Sequence, residues 1–257
     1  MISEELLKIA KPLLYGRKVL DLVVGLRYTA LLLDENCLGL AFTLKGPHLT
    51  GEKRIFPKNP HEIADLIVST SPIEASIGLA AVNAASQMRA SKMDLQTSES
   101  LLDALKLSKH DSILMVGLMT PLAWELHSRV CKIWAVEDTF SAKEGPPNLE
   151  VRPWWALDII LQRERISAVL VSGSAVGNKT IDRILEIANE KGSKVALVGP
   201  SVPIFPRFWK TKGVDVLAAS LIINPNLAIK LIKTGCGSRD LFRKGCLKKV
   251  ILDLKQE

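Results

Sequence analysis

The chain lacks most of the residues and patterns that announce a chemistry. Only 5% of its 257 residues are aromatic, and it has four cysteines and four histidines. The cysteines (Cys37, Cys131, Cys236 and Cys246) form no C-x-x-C pair and no zinc-finger spacing. Cys131 precedes an apolar run and is expected in the core; the others read as buried or incidental thiols. The histidines (His48, His61, His110 and His127) show no H-x-x-x-H or H-E-x-x-H pattern and read as surface or capping residues. With them so scattered, no Ser-His-Asp set can be assembled. No apolar run reaches the roughly 18–20 residues that a membrane-spanning helix needs. The start, Met1-Ile-Ser-Glu-Glu-Leu, has no basic region followed by an apolar block, so no signal peptide is expected and the cytoplasm is the default location.

What is present describes a globular protein. Hydrophobic residues make up 47% and charged residues 24%, and with few aromatics the core should be Ile, Leu, Val and Ala. The net charge is +7, which permits an anionic partner without requiring one. From Lys230 onward eight Lys and Arg stand against Asp240, Asp253 and Glu257. That end reads as a solvated helix surface or as a patch for an anionic partner. Phe242 is its one aromatic, which argues against nucleic acid, because single strands are held by stacking.

The pattern changes along the chain. Residues 1–94 suggest a small α+β domain: a helix over Glu4–Ala10, strands over Lys18–Leu26, Thr29–Leu33 and Cys37–Thr43, then helices starting at Pro60 and Pro72. Asp34-Glu-Asn36 is a turn signal for an antiparallel hairpin. Residues 95–257 alternate. Strands are expected at Ser112–Val116, Lys132–Val136, Ala168–Val171, Lys194–Val198 and Val214–Ala219. Helices are expected at Ser98–Lys106, Pro121–Arg129, Pro153–Arg163, Thr180–Glu190 and Pro225–Thr234, with Phe205–Lys212 as an incomplete crossover turn or helix. This is the pattern of an α/β parallel, doubly wound sheet, with Val250–Leu254 as an added edge strand.

In such a sheet the loops after the strands share one edge, where ligands bind. The first is Val116-Gly-Leu-Met-Thr-Pro121, which is not the dinucleotide signature G-x-G-x-x-G. Glu137 lies twenty residues after Gly117, where a dinucleotide-binding domain places its ribose acid; it reads equally as a cap. The loop Ser172-Gly-Ser-Ala-Val-Gly-Asn-Lys-Thr180 precedes a helix expected to begin near Asn178 to Thr180, a site for an anion with Lys179 beside it, or simply a capped turn. Its glycines do not satisfy the phosphate-loop spacing G-x-x-x-x-G-K-[ST]. Gly199-Pro-Ser-Val-Pro203 makes a stiff fourth loop, beside Gly117–Pro121, Glu137–Pro147 and Ser172–Thr180. Carboxylates Glu137, Asp138 and Glu144 suit acid/base or metal roles if they face inward. The front region adds Arg27-Tyr-Thr29, Lys45-Gly46 and Asn83, a polar residue on an apolar helix that needs partners.

These blocks carry a resemblance. Gly-Ser-Ala-Val-Gly-Asn-Lys-Thr-Ile-Asp (173–182), Val-Gly-Pro-Ser-Val-Pro (198–203), Gly213-Val-Asp-Val-Leu, Val24-Gly-Leu-Arg-Tyr-Thr29, Cys37-Leu-Gly-Leu-Ala41 and Ile77-Gly-Leu-Ala-Ala-Val-Asn-Ala84 resemble a prokaryotic heavy-metal chelation family of unknown function. The resemblance spans nearly the whole chain. It implies a front domain like the N-terminal domain of enolase, a Rossmann-like back domain, and a site between them. Mapped by motif, that site takes Asn83, Gly117, Thr120, Glu137, Ser174, Asn178, Thr180, Gly199, Pro200 and Ser201, with a divalent metal ion as the implied cofactor. Two positions depart from the family's pattern: Val202 stands where Thr is usual, and Ala219 where Gly is expected.

Three expectations follow. The leading one is a cytoplasmic protein, able to assemble with its own kind, that binds a small anionic ligand and a metal ion between the two domains. A hard or borderline ion would meet carboxylates and Asn; a soft one would need Cys37 or Cys236. The second is an enzyme acting on a nucleotide-like or cofactor-like molecule, with Glu137 on a ribose. The third is nucleic-acid or partner binding through the basic C-terminal end.

Overall fold

The computed structural model describes residues 1–46, 59–95, 97–138 and 145–255. Pro47, His48, Gln96, Glu144 and Glu257 lie outside these, as do residues 139–144 of the loop after Glu137. Helix α1 (Ile2–Leu14) leads into strands β1 (Val19–Val24), β2 (Tyr28–Leu33) and β3 (Cys37–Phe42). Helix α2 (Pro60–Ala64) runs on as a 3-10 turn to Val68, and α3 (Pro72–Ala90) follows. Then come α4 (Leu101–Leu105), β4 (Ser112–Val116), α5 (Thr120–Leu126), β5 (Lys132–Glu137), β6 (Leu149–Pro153) and α6 (Leu157–Arg163). The chain continues with β7 (Ala168–Ser172), α7 (Ser174–Gly177), α8 (Ile181–Glu190), β8 (Lys194–Val198) and α9 (Pro206–Thr211). It closes with β9 (Val216–Ile222), α10 (Pro225–Lys233), α11 (Ser238–Arg243) and β10 (Leu247–Asp253).

The fold is mixed α/β, with two sheets. The front sheet is antiparallel, ordered β1-β2-β3. Glu35 and Asn36 both take positive φ (54° each), the two-residue turn that lets β2 and β3 close tightly. The large sheet has seven strands ordered β10-β9-β8-β7-β4-β5-β6, all parallel except β10. This is a doubly wound order: the chain moves outward from β4 through β5 and β6, crosses back to β7, and proceeds the other way. Edge strand β6 and helices α7 and α11 were not expected. Edge strand β6 is half-buried and reads Leu-Glu-Val-Arg-Pro, with no continuous apolar run. Helix α11 is a six-residue segment with one buried side chain, Leu241.

Helix α3 sits at the centre. Thirteen of its nineteen residues are buried, so it has almost no solvent face. Its small side chains explain the fit. A Cβ on Gly39 of β3 would stand 1.9 Å from the Ala80 carbonyl oxygen, and one on Gly78 would stand 1.9 Å from the Ile67 nitrogen. Strand β2 is buried along its whole length because its two faces are covered from opposite directions. Leu31 and Leu33 join the core that contains α3, while Tyr28, Ala30 and Leu32 pack with Ile229, Ile232 and Leu241 of α10 and α11. The C-terminal helices therefore finish the core of the front sheet.

Candidate functional site at the switch point of the large sheet

Strands β4 and β7 are neighbours whose following connections run in opposite directions, which makes their C-terminal ends the switch point of the sheet, the place where sheets of this kind bind ligands. The loop after β4 starts at Gly117, whose φ of +85° only glycine adopts without strain; a Cβ there would stand 3.1 Å from that of Ser172. Gly117 and Ser172 thus form the floor. Ser174 begins α7, and its hydroxyl lies 3.1 Å from the Ser172 hydroxyl. Thr120 begins α5, half-buried. On the β8 side, Gly199 has φ +110° and open space where a Cβ would project. Half-buried Pro200 follows it.

The front region fastens onto this edge through Ser201 and Asn83. The buried Ser201 hydroxyl accepts from the Phe42 amide at 2.8 Å, tying β3 to the loop after β8. Asn83, 2% exposed, donates from Nδ2 to the Leu40 carbonyl (2.6 Å) and to the Ser201 carbonyl (3.0 Å). Its Oδ1 is buried without a hydrogen-bond partner. The loops after β7 and β8 also touch directly, since a Cβ on Gly173 would meet the Ser201 carbonyl carbon at 2.7 Å. Asn83, Ser201 and the start of the Ser172–Thr180 loop are therefore brought together at one junction.

The other expected residues have local work. Glu137 accepts from the Leu118 amide at 2.9 Å and the Asp138 amide at 3.1 Å, so its carboxylate shapes the turn after β4. Asn178 and Thr180 are exposed, and Asn178 Oδ1 takes the Thr180 amide (3.2 Å) and hydroxyl (2.7 Å). The helix expected to start there begins earlier, as the single turn Ser174–Gly177, then breaks at Lys179 (φ +64°) before α8. The break has a cause. Gly177 is pressed against Leu44 and Leu79 of the front region, and the Lys179 amine donates to the Ser69 carbonyl at 2.5 Å. Burial lowers the Lys179 pKa, and its charge is directed at carbonyls. Sequence reasoning did not single out Ser172 or the Phe42 amide. Ser172 carried a signal, because a serine closing an apolar strand next to Gly173 is where a crevice needs a small polar wall.

Among the described residues no three His, Cys, Asp or Glu come close enough to hold an ion. The half-buried Cys37 thiol donates to the Ala84 carbonyl at 3.2 Å, and burial pushes its pKa up to about 11, away from the thiolate a soft metal needs. Cys131 is exposed, against the expectation of a core position, because it precedes β5 at the sheet's outer end. The two departures from the family pattern are packing positions: Val202 (1% exposed) and Ala219 (0%) are both buried in the core.

Two family models cover the chain, both described as "Putative heavy-metal chelation": DUF4213 over residues 7–86 and DUF364 over residues 100–251. The chain belongs to the DUF364 family. The uncharacterized protein MJ0500 of Methanocaldococcus jannaschii is 27% identical over 275 residues, 99% of both chains. A crystal structure of a DUF364 protein of unknown function from Pyrococcus horikoshii matches with a TM-score of 0.81 at 25% identity, covering 98% of this chain and all of that one. Another, from Desulfitobacterium hafniense, matches in fold with a TM-score of 0.73 at 22% identity, covering 97% and 98%. The resemblance to a heavy-metal chelation family read from the sequence is thus borne out, as is the α/β architecture. Among the described residues no helix is long and apolar enough to cross a membrane.

Proposed function

We propose that this DUF364 protein binds a small anionic molecule in the crevice between the loops after β4, β7 and β8, where residues 1–94 meet residues 95–257. The observation that supports this reading is the strand order, which puts the switch point of the sheet between β4 and β7, with Gly117 and Ser172 at its base. The chemistry of the walls selects the ligand class. Ser172, Ser174 and Thr120 offer hydroxyl donors, and the Glu137 carboxylate is already engaged with backbone amides. The net charge of +7 favours an anion over a cation. Asn83 and Ser201 hold the front region in place as one wall of the site, while Asn178 and Thr180 shape the outer end of the loop. A divalent ion enters this reading as a passenger, chelated by the ligand's own oxygens.

The test is a thermal-shift titration of the full chain with inorganic pyrophosphate as a compact polyanionic probe. The wild type should gain melting temperature saturably. Ser174→Glu, which places a negative charge on the crevice wall, should lose the gain while folding normally. No shift in the wild type, or an equal shift in the variant, contradicts the reading.

A further inference from the structure

Strand β6 is the outer edge of the large sheet and, among the described residues, pairs only with β5. Its parallel ladder fixes which backbone groups are spent. Ile133 lies opposite Leu149, and its amide donates to the Asn148 carbonyl at 3.0 Å. Alternation then turns the backbone groups of Glu150 and Arg152 toward β5 and leaves the N–H and C=O of Val151 pointing outward. Beside this edge stand three exposed apolar side chains: Trp154 (61% exposed), Trp155 (62%) and Ile159 (44%). Two neighbouring tryptophans this exposed, next to an unpaired strand edge, mark a contact surface.

The charges along β6 indicate what covers it. Glu150 and Arg152 flank Val151, lie on one face of the sheet and carry opposite signs. A second β6 laid antiparallel and centred on Val151 would place Glu150 of each copy opposite Arg152 of the other, with the two Val151 residues exchanging both backbone hydrogen bonds. The same register carries Trp155 of one copy toward the exposed Pro147 of the other. A strand that complements itself in this way makes an isologous two-fold contact. Within one chain Glu150 already contacts Arg152 and accepts from the Lys132 amine at 2.6 Å, which holds both residues of the pair at the rim.

We propose that β6 is the interface of a homodimer, two copies of this chain joined edge to edge through Val151, with Glu150–Arg152 pairs across the axis and the tryptophans packed at its ends. Sedimentation velocity of the full chain over a concentration series should show a species of twice the 28.2 kDa chain mass, with tryptophan emission moving to shorter wavelength as it forms. Glu150→Arg and Arg152→Glu should each give monomers, because each sets like charges face to face. Mixed one to one, the two variants should recover the dimer, since opposite charges then meet. Val151→Pro removes an amide that faces away from the β5–β6 ladder, so it should keep the circular dichroism of the wild type and be monomeric. A wild type of single-chain mass at every concentration, charge variants that remain dimeric alone, or a dimer that survives Val151→Pro would each overturn the proposal.

Discussion

Asn83 concentrates more consequences than any other side chain. Its amide nitrogen bridges the Leu40 and Ser201 carbonyls, and its buried surroundings offer neither carbonyl a water in its place. Asn83→Ala should destabilise the chain by about 2–3 kcal/mol, because two buried acceptors lose their donor; urea unfolding measures this, and a loss below about 0.5 kcal/mol would mean the bridge carries little. Asn83→Asp should be worse at neutral pH, since a carboxylate would face two carbonyl oxygens. Its folded pKa would be raised, so the sign is fixed: the variant regains stability as pH falls into the ordinary carboxylate range and loses it as pH rises. That Asn83 needed partners was legible from a polar residue on an apolar helix. Its partner Ser201 was not, because the two are 118 residues apart and only the packing of α3 between the sheets joins them. The cysteines separate on the same scale. At mildly alkaline pH a maleimide should label exposed Cys131 first, while Cys37, held as a thiol up to about pH 11, should lag; equal rates would contradict its burial.

Among the elements, those with a simple period or a proline start were readable. Proline stands at the first turn of α2, α3, α9 and α10, where its missing amide costs nothing. The buried parallel strands show as apolar runs. Strand β6 escaped because an edge strand needs only half a buried surface, and α7 escaped because the break at Lys179 is imposed by Leu44, Leu79 and Ser69, all distant in sequence. The β2–β3 turn was readable in place but not in strain. Asn36 holds φ +54° at a position that favours glycine, so Asn36→Gly should raise stability by up to about 1 kcal/mol, checked by the shift of the urea midpoint at constant slope; a fall in stability would show that the turn is not of this type.

For the whole molecule, the change of pattern near residue 95 hides how far the front and back regions share a core. One continuous cluster runs from Ile2 to Leu254, and the outer face of β2 is covered only when α10 and α11 are present. A fragment ending at residue 94 should therefore fail to fold cooperatively, leaving Tyr28, Ala30 and Leu32 uncovered, while the full chain melts in one transition; calorimetry on both distinguishes this from two independently stable units. The basic C-terminal end also changes character in three dimensions. Lys233 pairs with Asp21, Arg243 with Asp240 and Lys255 with Asp215, each within 3.1 Å, so part of the excess charge is answered locally. The proposed ligand site lies at the switch point of the large sheet. Amide hydrogen exchange of the full chain with and without pyrophosphate tests that most directly. Slowed exchange confined to Gly117–Met119, Ser172–Ser174 and Gly199–Ser201 is the predicted result; protection located elsewhere, or none, would contradict a ligand site at this edge.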